Sequence, residues 1–151
     1  NRAEFLKILL ESEGIKVEQV FGPSKYPDVP AGEWFQPYVV KATQLGIVEG
    51  YSDGYFKPAQ SVNRAEALAM ITRIKGLDLP QIKNQDIPFQ DVLPNSWYQG
   101  FVMRAVFDGL VEGFSDGTFR PANNLTRGEA AVIIRRMQHV YKSLPTQIFP
   151  E

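Results

Sequence analysis

The chain contains no cysteine and a single histidine, His139. Disulfides and thiolate chemistry are therefore excluded. His139 has no cysteine or serine constellation around it and reads as a helix-surface residue rather than a base or metal ligand. No glycine-rich phosphate loop, nucleophile elbow or metal-ligand pair is present, so no sequence feature argues for catalysis or for a bound cofactor. A net charge of −1 and a pI near 5.9 leave no basic footprint of the kind nucleic-acid binding requires. No apolar run approaches the length of a membrane span, and the first residues do not form a signal peptide. The lack of cysteine leaves the compartment open but suits an exported protein that must not misoxidise.

What is present is a repeat. Residues 50–66 read GYSDGYFKPAQSVNRAE, and residues 113–129 read GFSDGTFRPANNLTRGE, 63 positions later. The closing four residues occur a third time at the start, as Asn1-Arg2-Ala3-Glu4. Aligned without gaps, residues 34–69 and 97–132 share 17 identities in 36 positions, which makes duplication the organising fact of the chain. The chain begins inside a repeat, so it is expected to be a processed or excised piece of something longer.

Each copy divides into the same signals. Tyr26-Pro27-Asp28-Val29 leads to Trp34 as Phe89-Gln90-Asp91-Val92 leads to Trp97. Helices are predicted at about 34–46 and 97–109, with Phe35, Val39 and Ala42 matching Tyr98, Val102 and Ala105 on the apolar stripe. Gly46 and Gly109 stand where a left-handed residue ends a helix. Asp53-Gly54 and Asp116-Gly117 predict turns whose flanking aromatics pair as short extended arms. Pro58 and Pro121 stop any helix from running through.

New helices then start at Asn63 and Thr126, with Glu66 and Glu129 at the capping-box spacing. Their stripes are Ala67, Met70, Ile71 and Ile74, and Ala130, Ile133, Ile134 and Met137. Residues 1–15 supply the equivalent helix, with Phe5, Ile8 and Leu9 on the stripe and Gly14 as its stop. The proline- and glycine-rich stretch 16–33 argues against a long helix, and the tail 143–151 reads as a linker. A unit of this kind cannot bury both of its helices alone, so copies are expected to pack on one another. The fold class is all-α, with about two and a half helix–loop–helix repeats. The expected divisions are 1–15 (second half of a first repeat), 16–27 (linker), 28–76 (second repeat), 77–88 (linker), 89–142 (third repeat) and 143–151 (tail).

The arginines stand out physically. Capping by Asn63 and Thr126 places Arg64 and Arg127 at the first helical position, where a cation opposes the helix dipole at a cost of roughly 0.3–1 kcal/mol. Arg2 repeats the choice. An anionic ligand would explain it, because free backbone donors at a helix start plus a guanidinium suit a carboxylate or phosphate. The competing reading is a local salt bridge to Asp53 or Asp116. Those two aspartates are otherwise turn formers, since a calcium loop needs several oxygen ligands at alternating positions and only one carboxylate precedes each glycine. Trp34 and Trp97 read either as core anchors or as stacking faces for a sugar ring. Lys57 and Arg120 match in type and are secondary candidates for a polyanionic chain. Arg73, Lys75, Arg135 and Arg136 lie near helix ends, where positive charge is favourable.

The pattern resembles the S-layer homology domain. The resemblance rests on Asp28-Val29 with Trp34 and Asp91-Val92 with Trp97. It extends through Gly46-Ile47-Val48 and Gly50-Tyr51-Ser52-Asp53-Gly54 to Phe56-Lys57-Pro58 and Val62-Asn63-Arg64-Ala65-Glu66. Gly109-Leu110-Val111, Phe119-Arg120-Pro121 and Leu125-Thr126-Arg127-Gly128-Glu129 repeat it in the second copy. The resemblance implies a pseudo-threefold helical bundle and non-covalent anchoring of a bacterial surface protein to the cell wall. The implied partner is an anionic secondary cell-wall polysaccharide, often pyruvylated, or peptidoglycan, at the cell surface. It further implies that Arg64, Arg127 and Arg2 meet the anionic sugar in grooves. Asp28, Trp34, Gly50, Asp91, Trp97 and Gly113 would help build those grooves. The first repeat lacks its aspartate, tryptophan and loop, so one groove is expected to be incomplete or completed by another chain. Asn1 and Asn63 replace the family's usual threonine or serine. Two other readings stand beside it: a structural or protein-interaction module with possible self-association through the half-repeat, and an accessory domain of a glycan-processing enzyme.

Overall fold

A computed structural model describes residues 1–18 and 22–144. Parts of the expected linker 16–27 and tail 143–151 lie outside the described residues. Among these the architecture is helical: α1 (Arg2–Ser12), α2 (Gln36–Gln44), α3 (Arg64–Ile74), a 3-10 turn at Asn84–Asp86, α4 (Gln99–Phe107) and α5 (Arg127–Val140). The only bridge pairing in this set joins Asn63 to Asn124, so the all-α expectation holds.

Capping chemistry decides where three helices begin. Asn63 Oδ1 accepts from the Glu66 N–H at 2.8 Å, and Glu66 Oε1 accepts from the Asn63 N–H at 3.2 Å. Thr126 and Glu129 form the same reciprocal pair, as do Asn1 and Glu4. Each box satisfies two backbone donors that a helix start would otherwise leave bare. Glu66 and Glu129 are thus caps. The helices α2 and α4 have no side-chain cap and start two residues later than their periodicity predicts. A tight turn comes first, closed by Gln36 N–H to Glu33 carbonyl at 3.1 Å and by Gln99 N–H to Ser96 carbonyl at 3.3 Å. Trp34 and Trp97 belong to those turns rather than to the helices.

The stops are as expected. Gly46 and Gly109 adopt φ of 74° and 75°, and the next residue's N–H reaches back to the Ala42 and Ala105 carbonyls at 2.9 Å each. Only glycine takes that backbone without a Cβ penalty.

The described residues fall into two compact units, one running to Val62 and the other starting at Asn63. In the first, α1 packs on α2, burying Phe5, Leu6, Leu9, Leu10, Val39 and Ala42. Ile8, placed on the α1 stripe by periodicity, is instead 47% exposed, and Leu6 and Leu10 take the inward positions. Phe5 and Leu9 are buried as expected, and the buried face of α1 is rotated away from Ile8 toward Leu6 and Leu10. In the second unit α3 packs on α4, and Ala67, Met70, Ile71 and Ile74 are buried as expected. Each unit carries one copy of the loop, anchored by a fully buried phenylalanine, Phe56 or Phe119. Burial of such a ring contributes roughly 1.5–3 kcal/mol relative to exposure.

Candidate functional site: two arginine–aromatic loops

The loop begins with a turn held by its own aspartate. Asp53 Oδ1 accepts from the Tyr55 N–H at 3.0 Å, and Asp116 Oδ1 accepts from the Thr118 N–H at 3.0 Å. Two backbone bonds close the arms of each loop, Tyr51 N–H to the Tyr55 carbonyl with Gly54 N–H to the Tyr51 carbonyl in one copy, and Phe114 N–H to the Thr118 carbonyl with Gly117 N–H to the Phe114 carbonyl in the other. These arms stay too short to register as strands.

A second aspartate clamps the far side. Asp28 receives the Phe56 N–H on one oxygen at 3.0 Å and the Lys57 N–H on the other at 2.7 Å. Asp91 does the same for Phe119 and Arg120, at 2.8 and 2.7 Å. This two-point grip explains an otherwise unfavourable backbone: Lys57 and Arg120 both sit at φ 60°, a region non-glycine residues rarely enter. Asp28 and Asp91 therefore build the loop, and their oxygens are committed to it.

Gly50 and Gly113 serve packing. A Cβ at Gly113 would come within 2.1 Å of Phe89 Cε1, and one at Gly50 within 2.5 Å of Tyr26 Cε1. Those rings pack at a tilt against Phe119 and Phe56, at centroid distances of 5.4 and 5.5 Å. Tyr26, the counterpart of Phe89, buries its hydroxyl without a hydrogen-bond partner among the described residues.

Onto each loop lies an arginine from a helix start more than fifty residues upstream. Arg2 Nε donates to the Phe56 carbonyl at 2.9 Å, and its guanidinium lies 4.6 Å from the centroids of both Tyr51 and Phe56. Arg64 Nε donates to the Phe119 carbonyl at 3.1 Å and Nη2 to the Glu112 carbonyl at 3.3 Å, over Phe119 at 4.5 Å and Phe114 at 5.2 Å. Such cation–π contacts contribute about 0.5–1 kcal/mol when exposed and more when desolvated. Arg2, although it belongs to the incomplete first repeat, thus has a loop beside it. Arg127 is exposed at the start of α5, and both copies of the loop are occupied by the other two arginines.

Two expectations are corrected. The backbone donors at the starts of α1 and α3 are not available to an anion. Arg2 and Ala3 donate to the Gln60 and Pro58 carbonyls, and Arg64 and Ala65 to those of Asn123 and Pro121. The chain after each loop proline doubles back on the helix start and consumes them. Nor does Arg64 form a salt bridge with Asp53 or Asp116. Asp53 pairs with Lys57 at 3.1 Å, and Asp116 with Arg120 at 3.2 Å. Hydrogen bonds, led by the Tyr55 N–H for Asp53 and the Thr118 hydroxyl for Asp116, hold both carboxyls below the ordinary aspartate value.

Arg64 consequently makes no ion pair among the described residues and uses two of its five N–H donors. Burial lowers its affinity for the proton, the charge of Glu129 partly offsets this, and neighbouring Arg120 adds to the lowering. Arg120 shares its aromatic floor, lying 3.8 Å from the Phe114 centroid. The result is two guanidiniums on one ring, one of them half-buried with donors to spare. Such an arrangement has the donors and charge that suit a carboxylate or phosphate.

The tryptophans stand outside these clusters. Trp34 is 50% exposed, with edge contacts to Phe35 and Tyr38 and Lys7 Nζ 5.7 Å from its ring. Trp97 is 57% exposed beside Tyr98 and Phe101. They are surface rings, not core anchors. His139 is likewise exposed on α5. Sequence reasoning missed the aromatic floors, Tyr51 with Phe56 and Phe114 with Phe119, although their recurrence at equal spacing was the available signal.

No described helix is long and apolar enough to cross a membrane, and no three acidic or histidine side chains among the described residues gather as a metal site. The S-layer homology domain model matches residues 25–68 and 88–131. The chain is 32% identical over 139 residues to cell surface glycoprotein 1 of Acetivibrio thermocellus, covering 87% of this chain and 6% of that protein. It is 34% identical over 99 residues to the surface layer protein of Brevibacillus choshinensis, covering 65% of this chain and 9% of that protein. Against an amylopullulanase of Thermoanaerobacterium thermosulfurigenes it is 34% identical over 138 residues, 88% of this chain and 7% of the enzyme. The chain thus spans less than a tenth of each of these relatives. With the matched stretches covering more than half of its residues, the chain belongs to the S-layer homology domain family.

Proposed function

We propose that this chain is a non-catalytic cell-surface module that anchors a larger bacterial protein to the cell wall by gripping an anionic wall polysaccharide. Family membership and surface-protein relatives support anchoring in general. The observation that carries the finer reading is Arg64: a half-buried guanidinium with an aromatic floor and, among the described residues, no ion pair and unused donors. A half-desolvated cation binds an anion more strongly than a solvated lysine does, because less water must be displaced and the dielectric is lower. The planar fork suits the carboxylate of a pyruvate ketal or uronic acid, or a phosphate. The exposed Trp34 and Trp97 offer stacking faces to further sugar units. That an amylopullulanase carries a similar segment over 7% of its length fits a transferable anchor, with any catalysis residing elsewhere in such a protein.

The test is cosedimentation with bacterial sacculi. The chain should pellet with sacculi bearing their anionic polysaccharide and remain soluble with the same sacculi after hydrofluoric-acid stripping. Mild acid removal of pyruvate from the polymer separates a ketal carboxylate from other anions. Equal pelleting with stripped sacculi would overturn the polysaccharide reading and favour peptidoglycan or protein contacts.

A further inference from the structure

The two loop sites share one scaffold and differ in what they leave open. Arg2 is 4% exposed, whereas Arg64 stays in partial contact with solvent. The floor of the first site is Tyr51, whose hydroxyl accepts from Gln60 Nε2 at 2.9 Å, tying ring to loop. The equivalent pair in the second site is Phe114 and Asn123, which cannot make that bond, and Phe114 is 38% exposed. The first site carries the compact ammonium of Lys57, 4.4 Å from the Tyr51 centroid, while the second carries the fork of Arg120 directly on Phe114. A buried arginine under a tied ring is a latch that fixes α1 to its loop. A partly exposed arginine beside a second guanidinium is a receptor.

We propose that the copies have divided their roles, with the Arg64–Phe114–Arg120 site receiving the anion and the Arg2–Tyr51–Lys57 site serving as a structural latch. The inference rests on the anchoring reading above. Arg120 is then a specificity determinant: it already gives Nη2 to Asp116 and Nε to Thr118, and its remaining donors join those of Arg64 beside the Phe114 ring to grip one carboxylate or phosphate, which a lysine's point charge does not reproduce.

The experiment compares Lys57→Ala with Arg120→Ala, two partly exposed positions that perturb the core little, by titrating polysaccharide-bearing sacculi and measuring the bound fraction. Arg120→Ala should weaken binding at least tenfold and Lys57→Ala less than twofold. A second variant, Phe114→Tyr with Asn123→Gln, transplants the tie into the second site and should weaken binding severalfold with thermal stability retained. Equal losses from Lys57→Ala and Arg120→Ala, in a wild type that binds, would overturn the division of roles while leaving the anchoring reading intact. Failure of the wild type to bind would remove both.

Discussion

At the residue scale, most of the repeated signature is scaffold. Asp53, Gly54, Pro58, Asn63 and Glu66 are accounted for by turn, stop and cap, and Asp28 by its grip on two backbone N–H groups. Arg64 also binds the loop, through the Phe119 and Glu112 carbonyls, but neither bond requires a charge held half out of water, which is why we propose it as the ligand-bearing residue. Gly113 illustrates the tightness of the scaffold. A methyl group there would collide with Phe89, and overpacking of this kind costs about 1–3 kcal/mol. Gly113→Ala is expected to lower the thermal midpoint by several degrees and, by pushing Phe89 against Phe119, to weaken polymer binding as well. Calorimetry paired with sacculus binding checks both. A fully stable variant would show that the ring can move aside.

At the element scale, the helix boundaries were legible because their determinants are local. Caps, proline stops and glycine ends act within a few residues, and the structure keeps them at Asn63, Thr126, Gly46 and Gly109. The exceptions have physical reasons. Ile8 faces outward because tertiary packing chose Leu6 and Leu10 over the periodicity maximum. The helix-start donors are consumed because the chain beyond each loop returns to them from nearly sixty residues away. No local pattern encodes such a return. The last helix adds a tie of this sort: Tyr141 Oη donates to Asp108 Oδ2 at 2.7 Å, and Arg104 Nε donates to the same oxygen at 2.7 Å, joining the ends of α5 and α4. Burial first, and then the Asp108 hydrogen bond, raise the Tyr141 pKa above its ordinary 10.0. A raised folded value means the stabilisation is fully present below the unfolded pKa and is lost as pH rises through the folded value. Stability should therefore decline above pH 10, and Tyr141→Phe should flatten that limb while losing about 1–2 kcal/mol at neutral pH. Denaturant titrations of both proteins between pH 7 and 11 test the sign. Parallel curves would assign the alkaline loss to other groups.

At the scale of the whole chain, charge is nearly balanced, so no overall field draws in a polyanion. The recognition we propose is therefore local, as a half-buried guanidinium without an ion pair among the described residues permits. The duplication made the family legible from sequence. Which arginine meets which loop was not legible, because Arg2 and Arg64 reach carbonyls 54 and 55 positions away. Titration calorimetry of purified anionic wall polysaccharide into the wild type and Arg64→Ala, with circular dichroism as a control for folding, tests the central claim most directly. Loss of charge-assisted hydrogen bonds of about 1.5–3 kcal/mol corresponds to a weakening of roughly ten- to over a hundredfold. That loss, with an unchanged helical spectrum, is the predicted result. Undiminished affinity in a folded Arg64→Ala would contradict it.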